Sequence, residues 1–350
     1  MRATKITYPL LAAAILSMLV TGCGNFSNED LIFLAALPGR DQVALRIPGN
    51  EDRNNSTQSL SSQSQSLTSC NQDNLHCQAV NVSNGINAAV FGLLNLVDAI
   101  ANVPPTRREP GLRVWGPHYA IESNTTLRFE MRRETVGKID IFEYCLHAVK
   151  GRADTQMAED IVCDREVDDS GLVRLMHGSF SPGAEGSGGA RYGAGSLVFD
   201  LNAAQDAGVA KPDDRGRFTV DYDNTEEQTI IELHIREVMG DDGTFLPASA
   251  DYVYHGQHDG SGDFRFTLNA DFVGGFIFSD LEQLEIAAQW RADEAGRADA
   301  TVSGGDLVNT VVSATHCWDA ELEGVYYSDS EEEHPTTGQA SDCAFATPLP

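Results

Sequence analysis

From Leu112 to Tyr327 the chain alternates apolar and polar positions at a period of two. Leu127, Phe129 and Met131 alternate with Arg128, Glu130 and Arg132. Phe264, Phe266, Leu268 and Ala270 alternate with Arg265, Thr267, Asn269 and Asp271. Leu197 to Leu201, Phe218 to Tyr222 and Leu284 to Trp290 repeat the pattern. Each reads as a strand with one dry and one wet face. Turn signals part them: Asn124, Gly216, Asp223-Asn224, Asp241 to Gly243, Asp259-Gly260 and Glu294 to Gly296. Residues 183–195 carry six glycines among thirteen and read as a loop, and residues 202–214 as a loop or short helix. No long helical pattern intervenes, so the connections are hairpins and the sheet antiparallel.

One stretch has the helical period. Between Ser83 and Asn102, residues Ile86, Ala89, Val90, Leu93, Leu96, Val97 and Ile100 recur at three and four. Ser83 is placed to cap the start, and Pro104-Pro105 ends it. Phe91 and Leu94 widen the apolar side beyond one flat contact. The expected fold is mainly β: a large curved antiparallel meander, an open or half barrel, packed on one N-terminal helix. Leu93, Leu96 and Val97 are expected against Phe264, Phe266 and Leu268. No internal repeat of useful length is apparent.

The N-terminus follows a third pattern. Arg2 and Lys5 precede an apolar run of 11 residues, Leu10 to Val20, interrupted only by Ser17. That is too short to span a bilayer as a helix but suits a signal-peptide core. It leads into Leu19-Val20-Thr21-Gly22-Cys23. This stretch resembles the lipobox of bacterial lipoproteins. The resemblance covers about the first 24 residues and implies cleavage before Cys23 and acylation of that cysteine. Gly24, rather than Asp, implies by the same resemblance the outer membrane, facing periplasm or cell surface. Three segments follow: a signal peptide (1–22), a lipid-anchored flexible tether (23–69) and a single β-rich domain (70–350). Within the tether, Leu31 to Leu37 is an apolar patch, either docked on the domain or resting at the membrane. Residues 50–69, rich in Ser and Gln, cannot bury a core. A coil of about 20 residues spans roughly 25 Å and would stand the domain off the membrane. No later apolar run suggests a membrane-crossing helix, and the charged faces of the strands argue against a transmembrane barrel.

The chain carries 24 basic and 52 acidic residues, a net charge of −28. Such a charge repels nucleic acid and anionic headgroups, and no nucleic-acid partner is expected. With Cys23 lipidated, six of the seven cysteines remain, an even count that argues for disulfides in an exported protein. Their spacing favours three local couples, Cys70/Cys77, Cys145/Cys163 and Cys317/Cys343. Cys145 and Cys163 would face one another across a hairpin with arms Ile139 to Val149 and Ile161 to Val167. Cys317–Cys343 would staple the C-terminal segment across the last strands.

Candidate chemistry is sparse. There is no zinc spacing among cysteines and histidines, no nucleophile elbow, no phosphate loop and no dinucleotide fingerprint. His255 and His258 are three apart, on opposite faces of a strand. Asp259 to Asp263 reads as a hairpin turn rather than a calcium loop. Glu143, Cys145 and His147 share a strand face. No catalytic residue, metal or cofactor is assigned. The segment Trp290 to Gly305, with Cys317-Trp318-Asp319 and Tyr326-Tyr327, is similar to stretches of uncharacterised bacterial lipoproteins. The helix-plus-meander outline is similar to carriers of the lipoprotein-localisation type, where a curved sheet grips acyl chains. Two functions are therefore expected in competition. One is a non-catalytic structural or interaction lipoprotein of the cell envelope, with the membrane and an envelope protein or lipid as partners. The other is a carrier holding an apolar ligand against Leu93, Val97, Phe264, Phe266 and Leu268.

Overall fold

A computed structural model describes residues 26–49, 74–121, 123–153, 163, 172–185, 191–206, 208–209, 216–238, 248–270, 281–330 and 336–349. Its main element is an antiparallel meander of fifteen strands, β1 to β15, ordered as in the sequence; the sheet does not close. The strands run from β1 (Arg107–Glu109) and β2 (Leu112–Ala120) through β3 (Thr125–Val136), β4 (Ile139–Lys150), β5 (Val173–Glu185), β6 (Arg191–Asp200) and β7 (Arg217–Asn224). They continue with β8 (Gln228–Val238), β9 (Ala248–Gln257), β10 (Gly262–Ala270), β11 (Glu282–Trp290), β12 (Gly296–Gly304), β13 (Leu307–Trp318), β14 (Gly324–Asp329) and β15 (Thr337–Gly338). The helices are α1 (Asn28–Ala35), α2 (Arg40–Val43), α3 (Leu75–Ala101) and α4 (Leu201–Asp206). The chain divides into two compact units, one of residues 44–88 and 226–349, the other of residues 26–43 and 89–225.

Helix α3 starts two turns before the expected Ser83. Asn74 is the cap, its side-chain oxygen accepting the Cys77 amide at 2.8 Å. The Ser83 hydroxyl instead donates back to the Val80 carbonyl at 2.9 Å, fully buried within the helix. Leu75–Ala99 is long and apolar enough to cross a membrane, contrary to the expectation that no later segment is; 53% of that window is buried inside the protein, as in a core helix. Val90, Leu94 and Val97 are buried. The side chains of Leu93 and Leu96 lie outside the described set.

In the unit of residues 44–88 and 226–349, the dry face of the sheet is laid down in rows. Ile231, Tyr254, Phe264, Ala288, Ala298, His316 and Tyr327 stand opposite one another across seven strands, all buried. The segment 44–48 packs beside them. Asn87 of α3 accepts the Leu45 amide at 2.8 Å and donates to the Leu45 carbonyl at 2.9 Å, so a side chain stands in for a strand neighbour. The His76 ring meets the Pro48 carbonyl at 2.9 Å and lies against Trp318, ring centroids 4.6 Å apart. Tyr254 donates its hydroxyl to the Arg46 carbonyl at 3.3 Å.

One device recurs along this sheet. Trp290 lies opposite Gly262, and Trp318 opposite Gly296. A β-carbon at these glycines would stand 2.7 and 2.2 Å from the facing indole. The ring therefore lies flat over its neighbour, an arrangement that tightens sheet curvature. Tyr144 over Gly178 and Tyr222 over Gly195 do the same in the other unit. The turns after β9, β11 and β13 share one geometry. The first residue donates to the fifth carbonyl in Gln257–Ser261, Arg291–Ala295 and Asp319–Glu323. The fourth, Gly260, Glu294 or Leu322, has positive φ. Trp290 and Trp318 each donate to the fourth carbonyl of the preceding turn, at 3.0 and 2.7 Å. The sequence trace of this repeat is a tryptophan six residues before a glycine, at Trp290–Gly296 and Trp318–Gly324, too sparse a signal to find unaided.

In the unit of residues 26–43 and 89–225, α1 docks on β2 and β4. Ser27 caps it in a reciprocal box with Asp30. Phe33 meets Phe142 edge-on at 5.5 Å, beneath the Arg113 guanidinium. Of the two placements open to the Leu31–Leu37 patch, the docked one is realised: Phe33, Ala36 and Leu37 are buried. Packing of the described residues thus begins at α1, within the span 23–69 expected as tether, and residues 50–69 of that span lie outside the described residues.

Candidate functional site

Strands β3, β4 and β5 place polar residues in register on the face opposite Phe129 and Leu146. Arg128 faces His147, which faces Arg174; Glu130 faces Cys145, which faces His177; Arg132 faces Glu143, which faces Ser179. The pattern reads as a wet face, yet Arg128, Glu130, Cys145 and His147 are buried. Glu130 accepts Arg128 at 3.1 Å and Arg132 at 2.6 Å, so the carboxylate is held between two guanidinium groups two residues away on its own strand. Such a pair is stable only with this compensation, since an unpaired buried charge is costly.

The disulfide Cys145–Cys163 lies on this face. Its α-carbons are 5.6 Å apart. The expected pairing holds, but not its reasoning: the partner strand of β4 is Val173–Glu185, with Cys145 opposite His177 rather than Cys163. Cys163 belongs to the connection between the strands, and its carbonyl accepts Arg174. The bond thus ties Cys163 to this face. Residues 161–162 and 164–167 of the expected second arm lie outside the described residues.

Cys317–Cys343 joins β13 to the C-terminal segment, α-carbons 5.4 Å apart. Beyond a short 3-10 turn at Ala340–Asp342, the segment crosses the neighbouring strands. Gln289 donates to Thr347, and Arg297 to Phe345 and Ala346. Arg297 is itself paired with Asp299 at 2.7 Å. The expected staple is present. Cys77 is disulfide-bonded, while Cys70 and Cys23 lie outside the described residues.

The remaining candidates separate. His255 pairs with Asp263 at 3.0 Å, His258 is exposed, and Asp259 accepts the amide and hydroxyl of Ser261 at 2.8 and 2.6 Å. Those bonds hold Asp259 below the ordinary carboxylate range. His234 and Arg236 both bind Asp251 at 2.5 Å; burial alone would raise that carboxylate, and the two partners bring it below its usual value. Among the described residues no group of three or more His, Cys, Asp or Glu could hold a metal.

Of the proposed ligand-facing residues, Val97, Phe264 and Phe266 are buried, and Leu268 is half-buried. Leu268 belongs to a row with Leu284, Val302 and Val312 in adjacent register, all half-buried, while its neighbour on the other side, Ala250, is buried. Two open depressions lie elsewhere. One, about 460 Å³, is bordered by Arg107, Glu109, Arg132, Arg133, Glu134 and Glu143; the other, about 390 Å³, runs along Asp259, Asp263, Arg291, Phe345 and Leu349.

No family model, curated protein or solved structure matches the chain. The functional reading therefore rests on the residues and their geometry.

Proposed function

We propose that the protein is an exported lipoprotein, anchored through acylated Cys23 at the outer membrane and facing periplasm or cell surface, with a non-catalytic structural or interaction role in the envelope. The observation that carries this reading is the filled dry face: Phe129, Met131, Phe142 and Leu146 in one unit, and Phe264, Phe266, Ile286 and Trp290 in the other, are buried to within a few per cent. Such faces make a scaffold. Two disulfides in register with the fold, and a third engaging Cys77, accord with an oxidising compartment. Replacing Cys23 by Ser should move the protein from the membrane to the soluble exported fraction; retention in the membrane without acyl mass would refute the anchor.

The half-buried side chains of Leu268, Leu284, Val302 and Val312, adjacent in register, favour a second reading, an acyl chain or lipid held against the sheet. Native mass spectrometry of detergent-free protein separates the two. The scaffold reading expects the mass of the covalently acylated chain with no further adduct, and the carrier reading an additional non-covalent lipid adduct lost in Leu268→Asp.

A further inference from the structure

The β3–β4 hairpin runs beyond its pairing with either neighbouring strand. Pairing with β2 ends at Arg132–Leu112, and pairing with β5 at Phe142–Phe180. Residues 134–141 therefore pair only with each other, as a two-stranded finger closed by the two-residue turn Gly137-Lys138 with Gly137 at positive φ, while β5 runs on to Glu185 paired with β6. The tip is apolar. Val136 and Ile139 face one another across the hairpin and are 55% and 56% exposed, and Ile141 lies on the same side. A soluble hairpin gains nothing from two bare aliphatic side chains at its tip.

The chain enters this unit at the same end. The first turn of α1 is bound to the β1–β2 hairpin: Asp30 holds Arg108 at 3.0 Å and Arg113 at 2.5 Å, and Arg113 also donates to the Glu109 and Leu112 carbonyls beside the turn. The Gly111 carbonyl of that turn accepts the Arg133 amide at 2.8 Å, at the root of the finger. Cys23 precedes the Ser27 cap by four residues, a reach of about 14 Å at full extension. An acyl chain on Cys23 therefore brings the bilayer to this end of the unit. Leu31 and Ile32, 53% and 45% exposed on α1, add apolar surface beside the entry point.

We infer that the Val136–Ile139 tip is a second membrane contact, seated in the acyl boundary of the bilayer while Lys138 reaches back to the headgroups. This rests on the lipid-anchor reading above and gives the anchor a partner: one acylation site plus an inserted apolar tip fixes orientation where chains alone leave the protein free to swivel.

The test uses the full chain, purified from membranes and floated on phosphatidylcholine vesicles carrying brominated acyl chains. Ile139→Trp places a reporter at the tip. Ile121→Trp places one at the β2–β3 turn, where Ile121 is 79% exposed at the opposite end of the same strands. Wild-type protein supplies the background of the three native tryptophans, all buried when named Trp115, Trp290 and Trp318. Bromine should quench Trp at 139 at least about twofold more than Trp at 121. Equal quenching at the two positions, or none at 139 in floated protein, overturns the inference, as does a chain that does not float. Intact mass of the same sample reads the anchor separately. Acyl mass without quenching at 139 sinks the finger alone, and quenching at 139 without acyl mass sinks the anchor alone.

Discussion

Asp30→Ala tests whether α1 is an integral part of its unit. Asp30 is fully buried and meets three partners: the Ser27 amide at 2.8 Å, Arg108 at 3.0 Å and Arg113 at 2.5 Å. Burial alone would raise its pKa. The Ser27, Arg113 and Arg108 hydrogen bonds outweigh that and lower it from 3.8 to about 2. At about 1.4 kcal/mol per pKa unit, the ionised carboxylate contributes on the order of 2 kcal/mol. The native carboxyl holds its charge below the pH at which the unfolded one is protonated. The contribution is therefore complete above about pH 4 and lost as pH falls toward 2. Asp30→Ala also strands Arg113, which keeps only half-exposed Glu29 and two carbonyls. Removing one member of a buried pair costs about 3–5 kcal/mol, while the Ser27 hydroxyl keeps its bond to the residue-30 amide. The readout is amide hydrogen exchange on β2 and β3 peptides, because the two-unit chain need not unfold in one step. The expected result is faster exchange by two to three orders of magnitude at pH 7, with a smaller difference from wild type near pH 2. Exchange unchanged within about threefold, or a difference independent of pH, would refute the reasoning.

Two further substitutions are opposed in sign. Gly296→Ala sets a methyl 2.2 Å from the Trp318 ring and 2.6 Å from a backbone carbonyl, and should cost about 1–3 kcal/mol in urea unfolding. Gly85→Ala meets nothing within 4 Å on α3 and should stabilise by about 0.5–1 kcal/mol. His76, buried against Trp318, is held below its ordinary pKa of 6.5 by burial, which outweighs its contact with the Pro48 carbonyl. The unfolded state then binds more protons below pH 6.5, so wild-type stability should fall as pH drops below that value, and His76→Phe should remove that part of the slope in melts between pH 7.5 and 5.

The strands were legible because hairpins leave a local record: alternation, then a turn residue, then alternation. The disulfides were legible as near neighbours in sequence. What lay hidden depended on distant partners. Arg128 and Glu130 carry the signature of a solvated face, yet both are buried, and no local pattern records that. The start of α3 was missed because Asn74 caps as well as Ser83 would, and Ser83 spends its hydroxyl inside the helix. The patch around Phe33 was ambiguous because its partners, Phe142 and Arg113, lie some 80 to 110 residues away. The polar residues offered no sequence route to a site. Asp259 and Asp263 read as possible oxygen ligands, but one closes its own turn and the other binds His255.

The central claim, an exported scaffold held by acylated Cys23, is tested most directly by the intact mass of protein extracted from membranes. An acylated lipoprotein should give a chain beginning at Cys23, heavier than residues 23–350 by a lipid modification and lighter by the hydrogens of its disulfides. A chain that still begins at Met1, or one cut elsewhere with no acyl mass, would contradict it.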